Sequence, residues 1–263
     1  MQISVLGSGS RGNSTLIKND NSAFLIDAGL SAKQIVKRLS MYKISPNDLS
    51  GIIVTHEHID HIRSAGSLAR KWDLPIWTNK GTIETGKNFL NGIPKHIEIE
   101  VGEPFPICGL RAEPFSIPHD AADPFGLIFT SDNGYRFGLA TDMGFATSLT
   151  NKKLEGLQGI VLEFNHDSKM LLNGQYPWVV KQRIKSKLGH LNNNEAGMLL
   201  QKIINQGLEW VVCAHISKEN NSESLIMSSI KKALRVKNGS SSKQEIKICL
   251  ASQEKPTELL GFN

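Results

Sequence analysis

The stretch Gly51-Ile52-Ile53-Val54-Thr55-His56-Glu57-His58-Ile59-Asp60-His61 decides how this chain is read. Its first half is apolar and rich in β-branched residues, the composition of a buried strand. Its second half packs three histidines and one aspartate into six residues, where the strand gives way to a loop. Loops at strand ends carry function because the strands behind them are rigid. Side chains two apart on an extended backbone point the same way, so His56 and His58 can reach one ion. Asp60 and His61 fall in the following turn, where they can reach a second.

One window cannot complete such a site. A dinuclear hydrolytic centre needs roughly three further ligands, including a bridging oxygen. Other strand ends supply candidates. His119 follows Phe115-Ser116-Ile117-Pro118, Asp142 follows Phe137-Gly138-Leu139-Ala140-Thr141, and His215 follows Trp210-Val211-Val212-Cys213-Ala214. Taken singly, each reads as a loop histidine or a turn aspartate. Together, four strands deliver metal-binding residues in one repeated way, which predicts a shared site.

The remaining sequence reads as the scaffold. Strands are predicted at 3–6, 14–18, 23–27, 51–55, 75–78, 96–101, 109–117, 126–131, 135–141, 159–163, 210–215 and 245–251. Asn133-Gly134 signals a hairpin. Ser31 is positioned to cap a helix with Ile35, Val36 and Leu39 on one face. Further helices are predicted at 63–72, 82–90, 177–188, 194–206 and 222–236. Strands with interspersed helices predict an α/β fold of two sheets flanked by helices. No boundary divides the chain, so 1–263 is expected to form one domain. The polar patch Asn238-Gly239-Ser240-Ser241-Ser242-Lys243 is expected to be a loop before the last strand.

Composition narrows the class. A chain of 263 residues with 40% hydrophobic and 21% charged residues is neither disordered nor a coiled coil. No apolar run approaches the roughly 20 residues of a membrane helix, so no membrane partner is expected. Met1 to Gly7 reads as a first strand and not as a signal peptide. Cys108, Cys213 and Cys249 are widely spaced and odd in number, which fits a reducing, cytoplasmic setting. The net charge of +5 is compatible with an anionic substrate. Ser168 to Asn194 holds Lys169, Lys181, Arg183, Lys185 and Lys187 with no acid. Leu225 to Gln244 holds Lys231, Lys232, Arg235, Lys237 and Lys243, again with no acid. These are either two solvated helix faces or a path for a nucleic-acid backbone. In the second case Lys181, Arg183, Lys185 and Lys187 are the expected phosphate contacts.

The order HxHxDH, a separate His, an Asp after a strand and a late His resembles the metallo-β-lactamase superfamily, from Gly7 to His215. The resemblance implies an αββα four-layer sandwich, two mixed sheets flanked by helices, with metals at one edge. It implies one divalent ion held by His56, His58 and His119. It places a second on Asp60, His61 and His215, with Asp142 bridging and a water or hydroxide between the ions as nucleophile. Mixed nitrogen and oxygen ligands admit zinc, manganese or iron. Asp60 would be ligand and proton acceptor together.

The branches of the superfamily differ in what surrounds these motifs. Secreted lactamases carry signal peptides and often a metal-binding Cys. Glyoxalase II-like thioesterases add a helical substrate domain, whereas 48 residues follow His215 here. The β-CASP nucleases insert a large domain between the Asp and the late His, an interval of 73 residues here. That interval contains Leu162-Glu163-Phe164-Asn165-His166-Asp167 and Gly189-His190-Leu191, and ends at Ala214-His215-Ile216-Ser217. With Gly7-Ser8-Gly9-Ser10-Arg11-Gly12-Asn13, it is similar to the YycJ/WalJ group, which implies a cytoplasmic 5′-to-3′ DNA exonuclease. Where that group has Ser-Asn after Gly-His-Leu, this chain has Asn192-Asn193.

His190 lies in a His-x-x-x-x-Glu-Ala setting similar to that of ribonuclease Z, which implies that it assists phosphodiester cleavage. A histidine beside a scissile phosphate donates a proton to the leaving oxygen or stabilises the transition-state charge. His166 is expected to orient a ligand, and His96 to lie on the surface. The resemblance thus implies a dinuclear, metal-dependent phosphodiester hydrolase acting on DNA. The competing readings are a small-substrate hydrolase on the same fold, such as a cyclic phosphodiesterase or a thioesterase, and a non-enzymatic regulatory or nucleic-acid-binding protein. The complete ligand set argues against the last.

Overall fold

Phe24, Phe129 and Phe137 pack against one another between two β-sheets, with ring centroids 5.6 and 6.1 Å apart. In the computed structural model, which describes residues 1–238 and 245–261, each sheet has seven strands. The first comprises β1 (Gln2–Gly7), β2 (Ser14–Asn19), β3 (Ser22–Ile26), β4 (Leu49–Ile53), β5 (Ile76–Thr78), β6 (His96–Glu98) and β14 (Leu260–Gly261), in the order β14-β1-β2-β3-β4-β5-β6. The second comprises β7 (Phe105–Ile107), β8 (Leu110–Ser116), β9 (Phe125–Ser131), β10 (Arg136–Ala140), β11 (Gly159–Glu163), β12 (Trp210–Ala214) and β13 (Lys247–Leu250), in the order β13-β12-β11-β10-β9-β8-β7. Both sheets are mixed: β3 to β6 and β10 to β13 run parallel, and the other pairs are antiparallel.

The apolar runs are buried on both faces, as parallel strands between two layers must be. Side chains alternate along each strand. On β11, Val161 enters the core between the sheets, while Ile160 and Leu162 face helices. On β3, Phe24 and Ile26 point inward, while Leu25 faces the other way. Helices α1 (Ala32–Ser40) and α3 (Ala65–Trp72) cover the outer face of the first sheet through Ile35, Leu39 and Leu68. The outer face of the second sheet is covered by Leu199 and Leu200 of α9 (Asn193–Ile203), together with Ile226 and Ile230 of α10 (Glu223–Asn238). The layers are αββα, as the resemblance implied. Shorter helices are α2 (Ile59–Ile62), α4 (Lys80–Thr85), α5 (Lys87–Leu90), α6 (Ser148–Lys153), α7 (Ser168–Asn173) and α8 (Trp178–Lys185). No helix among the described residues is long and apolar enough to cross a membrane.

Several boundaries differ from the sequence-based expectation for physical reasons. The strand predicted at 51–55 leaves the sheet after Ile53, so the histidine motif is carried by loop and by α2. The helix predicted at 82–90 divides at Gly86, where a Cβ would lie 2.7 Å from Thr82 O. Strand β7 contains Pro106 and was not expected; it is the edge strand of its sheet, the position that tolerates a missing donor. Helices α2, α6 and α7 have four to six residues, too few to show a helical period. Of the polar patch at 238–243, residues 239–243 lie outside the described residues.

One glycine sets the distance between two site-bearing segments. The turn after β3 is stitched to α2 by Ala28 N–H donating to His61 O (2.8 Å) and Ser64 N–H donating to Ala28 O (2.8 Å). At Gly29, a Cβ would fall 1.6 Å from Asp60 O. Gly29→Ala must therefore push the Asp60 turn away or fail to fold tightly. We expect it to lower unfolding stability by about 1–3 kcal/mol, the usual scale of overpacking, measured by denaturant titration. An unchanged midpoint would show that the turn yields freely.

Candidate metal centre

The strand ends of both sheets meet at one edge of the sandwich. The first sheet brings Asp27 just after β3 and residues 54–61 after β4. The second brings His119 after β8, Asp142 after β10, Glu163 as the last residue of β11, and His215 after β12. Asp27, Asp142 and His215 have φ of 60°, 59° and 51°, in the left-handed region. Asp, Asn and His are the side-chain-bearing residues most enriched there.

His56, His58 and His119 form the first cluster, their rings packed edge to face with centroids 4.8, 4.9 and 5.3 Å apart. Each ring has its far nitrogen occupied. His119 Nδ1 lies 3.1 Å from Gly189 O, and His58 Nε2 lies 3.2 Å from Asp120 O. A carbonyl accepts only a proton, so these contacts fix the tautomers and leave His119 Nε2 and His58 Nδ1 facing each other at 3.2 Å. Thr55 Oγ1 donates to Asp27 and so accepts from His56 Nδ1 (3.1 Å). This leaves His56 Nε2 inside the cluster, buried and without a hydrogen-bond partner among the described residues.

Asp60, His61, Asp142 and His215 form the second cluster. His61 Nε2 lies 3.5 Å from Asp60 Oδ2 and 3.3 Å from Asp142 Oδ2. His215 Nε2 lies 3.4 Å from Asp60 Oδ2. His61 Nδ1 donates to Asp27 at 2.8 Å, so one carboxylate orients a histidine in each cluster. On the other sheet, Glu163 orients His215 of the second cluster and, beside it, His190. Fully buried, it accepts from His215 Nδ1 (3.0 Å), His190 Nδ1 (2.8 Å), Met143 N–H (3.0 Å) and Leu191 N–H (3.1 Å). The glycine-rich loop completes the shell: Asn13 Nδ2 donates to Asp60 Oδ2 at 3.0 Å, and Ser8 Oγ accepts from His215 N–H at 2.7 Å.

The electrostatics suit a divalent cation. Burial opposes ionisation of Asp60, Asp142 and Glu163, yet neighbouring histidines outweigh it and hold Asp60 and Glu163 down to about 2 and Asp142 well below its ordinary value. Burial also disfavours charge on His61 and His215, but the carboxylates around them raise both well above the usual histidine range. In contrast, burial and adjacent histidines lower His56 and His119, leaving them neutral, the form that ligates. Within each cluster the candidate ligand atoms lie within 4.8 Å of one another. Asp142 Oδ2, like His56 Nε2, is buried with no hydrogen-bond partner among the described residues. The donor set and these two orphaned atoms fit divalent metal binding.

The other residues expected at the site fall differently. His190 joins Asp142, Glu163 and His215 in a third group whose candidate ligand atoms lie within 4.8 Å of one another; its Nδ1 is on Glu163 and its ring lines a cleft of about 290 Å³ shared with His58, Asp60, Asp142, Arg183 and His215. Arg183 is held there by Asp120, Nε to Oδ2 at 2.5 Å and Nη2 to Oδ1 at 3.2 Å. Lys185 and Lys187 are exposed at the end of α8 and beyond it. Lys181 is a correction. The residue is largely buried and its ammonium donates to Leu172 O (2.9 Å) and Gly174 O (2.6 Å), so it fastens α8 to the end of α7 and is not presented to a phosphate. His166 touches no candidate ligand directly; its Nδ1 lies 3.3 Å from Asn165 Oδ1, and Asn165 donates to His215 O at 2.8 Å. His96 is half-buried and bonds Thr78 O. Asn192 accepts from Asn194 and Glu195 N–H as the N-cap of α9, a task Ser performs equally well.

A family model described as a beta-lactamase superfamily domain matches residues 22–216. The chain belongs to the metallo-β-lactamase superfamily. Within it, the chain is 36% identical over 239 residues to "Exodeoxyribonuclease YycJ" of Bacillus anthracis, covering 90% of each chain. It is also 36% identical over 227 residues to "Exodeoxyribonuclease WalJ" of Streptococcus pneumoniae serotype 2 strain D39, covering 84% of each. Within that superfamily the chain is thus of the YycJ/WalJ type. The crystal structure of YhfI, a metallo-beta-lactamase fold protein from Bacillus subtilis, superposes with a TM-score of 0.74 at 17% identity, covering 98% of this chain and 99% of that one, which shows the shared fold.

Asp27 and Glu163 were not singled out by the sequence reading, although each is an acid ending an apolar strand. Because Asp27 fixes a ring in both clusters, Asp27→Asn should weaken both. We expect metal affinity to fall by about 10–100-fold in a competition titration against a chelator. Unchanged affinity would reduce Asp27 to a packing residue.

Proposed function

We propose that this protein is a dinuclear metal-dependent phosphodiester hydrolase that trims DNA from a 5′ end. The carrying observation is two adjacent clusters of seven metal-capable side chains, four of which (His58, Asp60, Asp142 and His215) line one cleft with His190, in a chain 36% identical over 90% of its length to a protein named an exodeoxyribonuclease. His56, His58 and His119 would hold one ion, and Asp60, His61 and His215 the other, with Asp142 between them. Zinc and manganese both suit this nitrogen and oxygen set. Bound there, such ions neutralise the phosphodiester, lower the pKa of a water beside it and stabilise the leaving oxygen.

The chain's own residues supply the rest. Asp60 is the acceptor for the proton of the attacking water. His190 donates Nδ1–H to Glu163, so Nε2 is the nitrogen left for the cleft; as the imidazolium, with a second proton on Nε2, it donates that proton to the departing oxygen and is left neutral. Arg183, pinned by Asp120, offers a fixed cation on the cleft wall, and exposed Lys185 and Lys187 extend the positive surface. Lys231, Lys232 and Arg235 are exposed on α10, as solvated residues or a second backbone contact. We read 1–263 as one catalytic unit. The free thiols of Cys108, Cys213 and Cys249 support a reducing, cytoplasmic setting.

The proposal separates His190 from the ligands. His190→Ala should keep full metal by elemental analysis and lose about a hundredfold or more in turnover on end-labelled DNA, the scale of a positioned acid. Asp60→Ala should lose metal as well as activity. Metal loss in His190→Ala would make His190 a ligand, and full activity would make it structural. Cleavage of cyclic nucleotides or thioesters with none of DNA would favour the small-substrate reading.

In a second test, changing Arg183, Lys185 and Lys187 together to Ala should weaken DNA binding and flatten its salt dependence, with metal content intact. Unchanged affinity in a gel-shift titration would return these side chains to a solvated face.

A further inference from the structure

Two cavities adjoin at the catalytic edge. The metal cleft is polar. A second cavity of about 310 Å³ shares its wall through Ser10, Arg183, His190 and His215. Behind that wall its character changes. Tyr176, Val180 and Ile184 line one side, from α8 and the turn before it, and Ile216 lines the other, just after β12. Asn165 and Ser217 add hydrogen-bonding groups. Its volume is at the small end for ligand pockets, about 300–1,000 Å³. That suits one nucleoside and not a duplex.

His190 stands on the shared wall, with Nδ1 committed to Glu163. In hydrolysis from a 5′ end, the water oxygen bonds to phosphorus and the bond from phosphorus to the 3′ oxygen breaks. The phosphate stays with the shortened strand, the electron pair leaves on the 3′ oxygen, and a proton must reach that oxygen. The nucleoside carrying it therefore lies on the far side of the proton donor from the metals. That is where the apolar cavity is.

We propose that this cavity receives the base and sugar of the terminal nucleotide, so that each cut releases one nucleotide. The inference rests on the phosphodiesterase reading and deepens it. Apolar and aromatic walls grip any base by its face, and a cavity sized for one nucleoside beside the cleft takes a strand end and not a continuous duplex. Tyr176, Val180, Ile184 and Ile216 are then specificity-determining residues that touch the leaving group and not the metals.

The test crosses two changes. One is in the protein: Val180→Trp, at a half-exposed site on α8, or Ile216→Trp on the opposite wall. The other is in the substrate: an end-labelled oligonucleotide whose 5′-terminal unit lacks its base. Each change alone should slow release of the first nucleotide roughly tenfold or more, and both together no further than either. Effects that multiply would place the base elsewhere and overturn the proposal. Agreement between the two walls guards against damage to α8. Calorimetric binding of deoxyadenosine 5′-monophosphate against deoxyribose 5-phosphate gives a readout without turnover. Wild type should prefer the nucleotide about tenfold, and both tryptophan variants should lose that preference. Equal affinities in wild type would also overturn the proposal. If wild type cuts no DNA, the phosphodiesterase reading fails, and the binding preference alone decides whether the cavity is a nucleoside site.

Discussion

A neutral imidazole has one N–H and one lone pair, and a metal centre works only if every lone pair turns inward. Two buried carboxylates enforce much of this here. Asp27 orders His61 directly and His56 through Thr55. Glu163 orders His215 and His190. Burying carboxylates is costly unless their oxygens are satisfied. Glu163 meets that condition with four donors, two of them backbone N–H groups. One carboxylate belongs to each sheet, so the sandwich must assemble before the rings can agree on a direction.

The segments around the clusters are tied to the same frame. The loop from Ser8 to Asn13, which reaches Asp60 and His215, is itself clamped from the far end of the chain. Gln253 Oε1 accepts from Arg11 N–H at 2.7 Å, and its Nε2 donates to Gly12 O at 2.7 Å. Buried Arg38 donates to Leu6 O and Gln253 O on either side of that clamp. On the opposite wall, Lys181 ties α7 to α8 and thereby places Arg183. A lysine that looks like a phosphate contact in the sequence is thus a fastener for one that can be.

The sequence made strand ends and ligand types legible because both depend on local pattern. HxHxDH announces itself, and His119, Asp142 and His215 each follow an apolar run. Strands with interspersed helices pointed to two sheets flanked by helices, and the family resemblance implied the αββα layering. The orienting residues were harder to see, because their meaning lies in partners far along the chain: Asp27 is 34 positions from His61, and Glu163 is 52 from His215. A carboxylate ending a strand reads alike whether it meets solvent or a histidine. Lys181 failed for a related reason. Its charge was visible, but the carbonyls of Leu172 and Gly174 become acceptors only once α7 has ended in a turn.

The left-handed backbone at Asp27, Asp142 and His215 has a bearing on how such a centre can change over time. Strained conformations usually demand glycine, which carries no chemistry. Here the residues that tolerate the turn are the same ones that orient a histidine or could hold an ion. Asn would preserve the turn at an aspartate position and keep a weaker oxygen ligand. Glu would keep the charge but misfit the backbone. Shape and chemistry therefore select the same few letters, which leaves drift at these positions very few routes by which to abandon one requirement while keeping the other.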